Sequence, residues 1–194
     1  MNNLVFFLEE TSAEEMLKGL LPRLLPEQFH FRCVPFEGKQ DMEKQLKGKL
    51  RGRRTPNTYF VVLRDKDNGD CRQIKHNLEK ICKTANRPDV LIRIACHELE
   101  SWYLGDLKAV EEGLGIHGLS TKQNQGKFRN PDNLANPAQV FKGLTNNVYQ
   151  KMSGSRSIGP CLSLENNRSH SFTVFISGIK KLIAEAIKRG PTSP

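Results

Sequence analysis

The run Tyr59-Phe-Val-Val-Leu-Arg-Asp-Lys-Asp-Asn-Gly-Asp70 constrains this chain more than any other. Its first half is apolar, aromatic and β-branched, as in a buried strand. It then breaks into Asp65-Lys66-Asp67 and the turn pair Asn68-Gly69. In open α/β sheets, ligands lie beyond the carboxyl ends of the strands. Asp65 and Asp67 therefore sit where a ligand is expected. Two carboxylates held that close raise each other's pKa unless a positive charge intervenes, and a divalent cation with oxygen ligands is the simplest such charge. The spacing thus raises the question of which other acids converge on this pair.

The 194 residues suffice for one domain with a full core, or one domain and a small appendage. Mean hydropathy is −0.53, and no apolar run approaches the roughly 20 residues that span a bilayer. No cationic segment precedes the first apolar run, so no signal peptide is expected. Cys33, Cys71, Cys82, Cys96 and Cys161 are odd in number and contain no C-x-x-C pair. That pattern argues for reduced thiols in a cytoplasm, not for a disulfide frame or a zinc site. The net charge of +9 is consistent with a polyanionic partner, nucleic acid first, or with a solvated basic surface.

Taken in order, Asn3–Leu8 reads as a first strand. Ser12 to Glu15 has the form of a capping box, followed by leucines at helical spacing that Pro22 interrupts. Phe29–Phe36 reads as a second strand. Lys39–Arg54 reads as a basic surface helix ending near Gly52, with Met42, Leu46 and Leu50 as its narrow apolar stripe. Asp70 caps a helix through Ile74, Leu78 and Cys82, and Asp89–Ala95 is a fourth strand. Strand and helix alternating in this way give right-handed βαβ units. The expected fold is α/β, Rossmann-like, with a mostly parallel four-stranded sheet flanked by helices. Residues 1–114 form the expected core. From residue 115 the composition shifts to Gly, Asn, Gln, Lys and Pro, so 115–194 reads as a loop-rich, helical C-terminal appendage packed on the core. In it, 127–132 reads as an ordered loop or lid and 151–157 as a flexible, hydroxyl-rich basic segment. Ser169 or Ser171 starts a last helix whose broad apolar face packs on the sheet or meets a partner.

In a parallel sheet the strand ends share one edge. Glu9 and Glu10 end the first strand, Asp65 and Asp67 the third, and Glu98 and Glu100 follow the fourth. All six are candidate catalytic acids. Glu9, Asp65, Asp67 and Glu100 form the candidate set for Mg²⁺ or Mn²⁺, ions that accept one or two carboxylates plus waters and phosphate oxygens. Two such ions activate water and stabilise the leaving oxygen in phosphodiester cleavage. Glu98 and Glu100 alternate around Leu99, so one of them can point away. An aspartate at a strand end can also simply cap a turn. A calcium loop is excluded, because Gly69 and His76 fall where that loop needs other residues.

Lys127, Arg129, Lys151 and Arg156 are candidate phosphate contacts, and Arg53 and Arg54 belong to the densest cationic run. His97 is a candidate base or ligand, or a structural residue. Trp102 and Tyr103 stack on a base or fill the core.

Val5-Phe-Phe-Leu-Glu9-Glu10-Thr-Ser-Ala, followed by Asp65-x-Asp67, resembles the TOPRIM domain of topoisomerases, primases and overcoming-lysogenization-defect nucleases. Glu9, Ser12, Ala13, Asp65 and Asp67 fall on its pattern, whereas Glu10 stands where that family has glycine. Over its whole length the chain also resembles a TOPRIM-like family known as domain of unknown function DUF4276. The carrying segments include Leu63–Cys71, Arg93–Asp106, Asn130–Asp132 and Tyr149–Gly154. The resemblance implies metal-dependent nuclease chemistry and, as in anti-phage defence modules, a separate ATPase partner. A homodimer is left open.

Two functions follow. One is a divalent-metal-dependent nuclease acting on DNA or RNA. The other is a non-catalytic TOPRIM-like subunit that docks on an ATPase or on nucleic acid. No G-x-x-x-x-G-K-[ST] motif occurs, so ATP hydrolysis is expected from another chain.

Overall fold

A computed structural model describes residues 1–53 and 55–190 of the chain. Arg54, one of the candidate basic residues, lies outside the described residues.

Four strands form one sheet in the order β2-β1-β3-β4, all parallel. They are β1 (Asn2–Leu8), β2 (Phe29–Pro35), β3 (Thr58–Asp65) and β4 (Leu91–Ala95). The crossovers run through α1 (Thr11–Leu20), α2 (Lys39–Arg51) and α3 (Cys71–Thr84). This is the α/β architecture expected, consistent with a Rossmann- or TOPRIM-like fold.

Strand periodicity sorts the side chains between two layers. Leu4, Phe6, Leu8, Val61 and Leu63 face one layer, built with α1 and the C-terminal helices. Val5, Phe7, Phe60 and Val62 face the other, where Met42, Leu46 and Leu50 of α2 and Ile74 and Leu78 of α3 cover them. The three apolar residues of α2 thus form the expected stripe beneath an otherwise cationic helix. Asp70 caps α3 by accepting from the Gln73 N–H at 2.8 Å.

The chain continues through α4 (Glu100–Leu104), α5 (Leu107–Leu114), α6 (Gly126–Arg129), α7 (Pro137–Leu144), α8 (Lys151–Ile158) and α9 (His170–Arg189). The larger hydrophobic cluster passes through both halves, joining Leu4 and Phe6 to Phe128, Phe141, Tyr149, Ile158 and Phe172.

Three local expectations are corrected. Ser12 and Glu15 do not form a capping box: α1 begins at Thr11, so Ser12 already lies inside the first turn. Its hydroxyl donates to Glu10 at 3.2 Å, and Glu15 pairs with Lys18 and Arg156. Residues 151–157 are not a flexible segment but α8, packed along α1. Residues 127–132 are not a lid. Phe128 is fully buried, and Asp132 accepts from Ser169 Oγ and from the Ser171 N–H, both at 2.6 Å. The apolar face of α9 lies inside the protein against β4. There Phe172 and Phe175 meet Trp102 at ring distances of 5.2 and 5.0 Å. Trp102 and Tyr103 are fully buried, which removes them as base-stacking platforms.

Candidate active site

Parallel register sets the ends of β1, β3 and β4 level. Leu8 pairs with Leu63, and Asp65 pairs with Ala95. The residues that follow β1 and β4 therefore emerge beside Asp65 on one edge. Glu9 continues the ladder by donating its N–H to the Leu63 carbonyl at 3.2 Å, and its Oε2 accepts the Asp65 N–H at 3.1 Å. Glu10 is the residue before α1, and Glu100 opens α4.

Glu9, Glu10, Asp65, Ser12, Ala13, Leu63 and Leu99 enclose a crevice of about 10 Å³, the scale of a single water. The electrostatics show crowding. Burial pushes the Asp65 carboxyl well above its ordinary range, and Glu9, Glu100 and Glu10 push it further. Burial also raises Glu9 and Glu100. Carboxylates shifted upward together, first by burial and at Asp65 also by neighbouring acids, mark a candidate functional site.

The counter-charge comes from the C-terminal half and from β3. Lys151, at the start of α8, pairs with Glu10. Burial pulls its ammonium down, but Glu10, Glu100 and Asp65 outweigh that and leave it raised. Tyr149 donates to Glu100 Oε1 at 2.9 Å. Arg64, almost fully buried, holds Glu43 and brings its Nε to 3.8 Å from Glu9.

The other acids look elsewhere. Asp67 adopts a positive φ of 51° and accepts from Lys39 Nζ at 2.7 Å. Glu98 Oε2 accepts the Ala138 N–H at the start of α7 at 3.0 Å. Together with His97 and Asn136 they line a separate open cavity of about 280 Å³ along the same edge. His97 Nδ1 stands 2.7 Å from the Asp67 carbonyl, and its Nε2 is 3.5 Å from Lys66 Nζ. Glu9, Glu10, Asp65 and Glu100 are thus brought together, with Asp67 and Glu98 beside them.

Of the candidate basic residues that are described, Lys151 alone enters the acidic cluster. Arg156 is turned to Glu15 of α1. Lys127 lies 4.9 Å over the Phe128 ring, and Arg129 Nε donates to the Asn124 carbonyl at 3.0 Å. Arg53 lies toward the opposite end of the sheet, by Asn3 and Thr58. Sequence reasoning missed Lys39, Arg64 and Tyr149 as parts of this edge. Tyr149 carried a signal, since a buried phenol needs a polar partner.

A family model describing a domain of unknown function, DUF4276, matches residues 8–180. The chain belongs to that family. The match begins at the last residue of β1, spans β2, β3 and β4 and reaches Lys180 in α9, so the acidic sheet edge and the Tyr149–Lys151 segment that reaches it lie within the DUF4276 region. No curated protein and no solved structure matches the chain.

Does this edge suit a divalent cation? Among the described residues no three His, Cys, Asp or Glu side chains form a group able to hold a metal ion as placed. Mg²⁺ does not need such a cage, because it uses one or two carboxylates and keeps waters and phosphate oxygens for the rest. Asp65, Glu9, Glu10 and Glu100 offer only hard oxygen donors, and burial raises Asp65, Glu9 and Glu100, with neighbouring acids pushing Asp65 further, a pressure that a bound cation would relieve. The donor chemistry fits Mg²⁺ or Mn²⁺.

Proposed function

We propose that this protein is a divalent-metal-dependent nuclease that hydrolyses phosphodiester bonds in DNA or RNA. One observation carries the reading: Glu9, Glu10 and Glu100 crowd around Asp65 at the carboxyl edge of a parallel sheet, where burial and these three acids push the Asp65 carboxyl well above its ordinary range. In this reading Asp65 with Glu9, Glu10 or Glu100 holds Mg²⁺ or Mn²⁺. The bound ion supplies Lewis-acid stabilisation of phosphoryl oxygens and lowers the pKa of water.

The chain's own groups have separate tasks. Lys151 offers an ammonium to a phosphate oxygen once a cation takes over the acids. Tyr149 fixes the Glu100 carboxylate, and the Asp65 N–H fixes Glu9. The net charge of +9 supports nucleic acid as the substrate class. The resemblance to TOPRIM chains in defence modules motivates a separate ATPase as partner. The free thiols of all five cysteines fit a cytoplasmic setting.

The test is cleavage of mixed DNA and RNA by the full chain with Mg²⁺ or Mn²⁺, with and without a co-expressed ATPase. Asp65→Asn and Glu9→Gln should each abolish cleavage. Equal cutting by both variants rules the assignment out.

The Lys151–Glu10 pair favours a second reading, a non-catalytic TOPRIM-like subunit, because it neutralises part of the cluster without a metal. Titration with Mn²⁺ separates the two. Binding lost in Asp65→Asn supports the nuclease, and no binding by the wild type supports the subunit.

A further inference from the structure

The opposite end of the sheet holds a second constellation, and its sign is reversed. A cavity of about 180 Å³ is lined by Asn3, His30, Arg32, Arg53, Thr55 and Thr58, together with Leu4 and Val5 of β1 and Phe31 of β2. The register explains the grouping. Asn3 pairs with His30 on one side and Thr58 on the other, and Val5 pairs with Arg32. Asn3, Val5, His30, Arg32 and Thr58 thus share the face that α2 covers. The helix stops at Arg51, so this corner of the face lies beyond its end, and Arg53 and Thr55 come from the segment that follows.

The arginines there lack anionic partners. No carboxylate lines the cavity, and no ion pair reaches Arg32 or Arg53 among the described residues. Arg53 Nε is buried without a hydrogen bond, which is unfavourable for a group so strongly disposed to donate. Its guanidinium lies 5.7 Å over the Phe7 ring, which fixes its plane. The Arg87 guanidinium holds the Arg53 carbonyl at 2.8 Å and so anchors the backbone. Burial and the nearby Arg32 charge both disfavour the Arg53 cation. Two guanidiniums, two hydroxyls and an amide around a cavity without acids are the donor set that a phosphate oxyanion requires.

We infer that this cavity is a phosphate-binding site, taking the phosphoryl group of a nucleotide or of a nucleic-acid strand between Arg53 and Arg32. It is distinct from the acidic edge, because Asn3 and Thr58 lie at the starts of β1 and β3, whereas Glu9 follows the end of β1 and Asp65 ends β3. The seven residues of β1 separate the two ends by about 20 Å. The inference does not depend on the nuclease reading.

The experiment titrates the full-length protein at low ionic strength with inorganic phosphate, with AMP and with a short single-stranded deoxyoligonucleotide. Arg32→Gln and Arg53→Gln are compared with wild type and with Asp65→Asn. Arg32 is exposed, so its variant keeps the fold even if Arg53→Gln does not. Binding should fall about tenfold or more in either arginine variant, the scale of losing a charge-assisted hydrogen bond, and should persist in Asp65→Asn. Arginine-dependent binding of phosphate or AMP identifies a small-ligand source. Arginine-dependent binding of the oligonucleotide alone identifies a strand. Wild type that binds none of the three, or binding unchanged in Arg32→Gln, overturns the inference.

Discussion

Tyr149 donates its phenolic hydrogen to Glu100 across 49 positions of sequence, at 2.9 Å. The bond ties the segment before α8 to the carboxyl edge of the sheet. Glu100 is only 2% exposed, so it depends on this donor. Burial raises its pKa, and Lys151 and the tyrosine hydroxyl lower it against that pressure. Tyr149→Phe removes one restraint and leaves a buried acceptor unsatisfied. The expected loss is about 1–3 kcal/mol of stability, read from urea midpoints, together with reduced cleavage. Unchanged midpoints would show that Glu100 does not need this donor.

Asp65 supplies a prediction about pH. Burial and three neighbouring acids raise its folded pKa above the ordinary 3.8. Between the unfolded and folded pKa values the native state therefore binds more protons than the unfolded chain, and stability falls as pH rises through that window. Below pH 3.8 the contribution is fully present. Asp65→Asn removes the titration, so it should melt higher than wild type near neutral pH, with the advantage vanishing below the unfolded pKa. Thermal melts across pH, recorded without divalent ions, check this. A variant less stable than wild type at neutral pH would mean that the carboxylate is well compensated where it sits.

The strands were legible because their apolar runs are long and end in turn residues, and the acidic edge followed once they were taken as parallel. Local polar signals were weaker guides. Ser12 matches a capping pattern, but the helix starts one residue before it. The Lys151–Ser157 stretch reads as flexible from its serines and glycine. Tertiary contacts make it a helix, with Ser155 buried and accepting from Tyr103 at 2.8 Å. Lys39 looked like one more surface lysine, because only the crossover geometry carries the start of α2 to Asp67. Spacing along the chain could not say which of Glu98 and Glu100 turns inward. The packing of α7 decides it by engaging Glu98.

Lys151 sets up a competition. Its ammonium already sits among Glu10, Glu100 and Asp65, so under the proposed nuclease reading a divalent cation would share those acids with it. Lys151→Gln should tighten Mn²⁺ binding severalfold, about 1 kcal/mol for a partly exposed pair. Cleavage should fall at the same time, because the phosphate loses a contact. Titration calorimetry and single-turnover cleavage report the two effects separately. Weaker Mn²⁺ binding in the variant would mean that Lys151 positions the carboxylates instead of competing for them.

Gly154 tests how tightly the C-terminal half holds the site. A Cβ at this position of α8 would lie 2.3 Å from the Tyr149 ring, so Gly154→Ala must push the ring that restrains Glu100. Overpacking of this kind typically costs about 1–3 kcal/mol, and the displaced ring should lower cleavage as well. Gly48 provides the control. It lies in the exposed middle of α2, and a Cβ there meets nothing within 4 Å. Gly48→Ala should therefore stabilise by about 0.5–1 kcal/mol through helix propensity alone. Paired melts of the two variants should move in opposite directions. If Gly154→Ala also stabilised, the contact between Tyr149 and α8 would be looser than its geometry indicates, and the link from α8 to the acidic edge would fail with it.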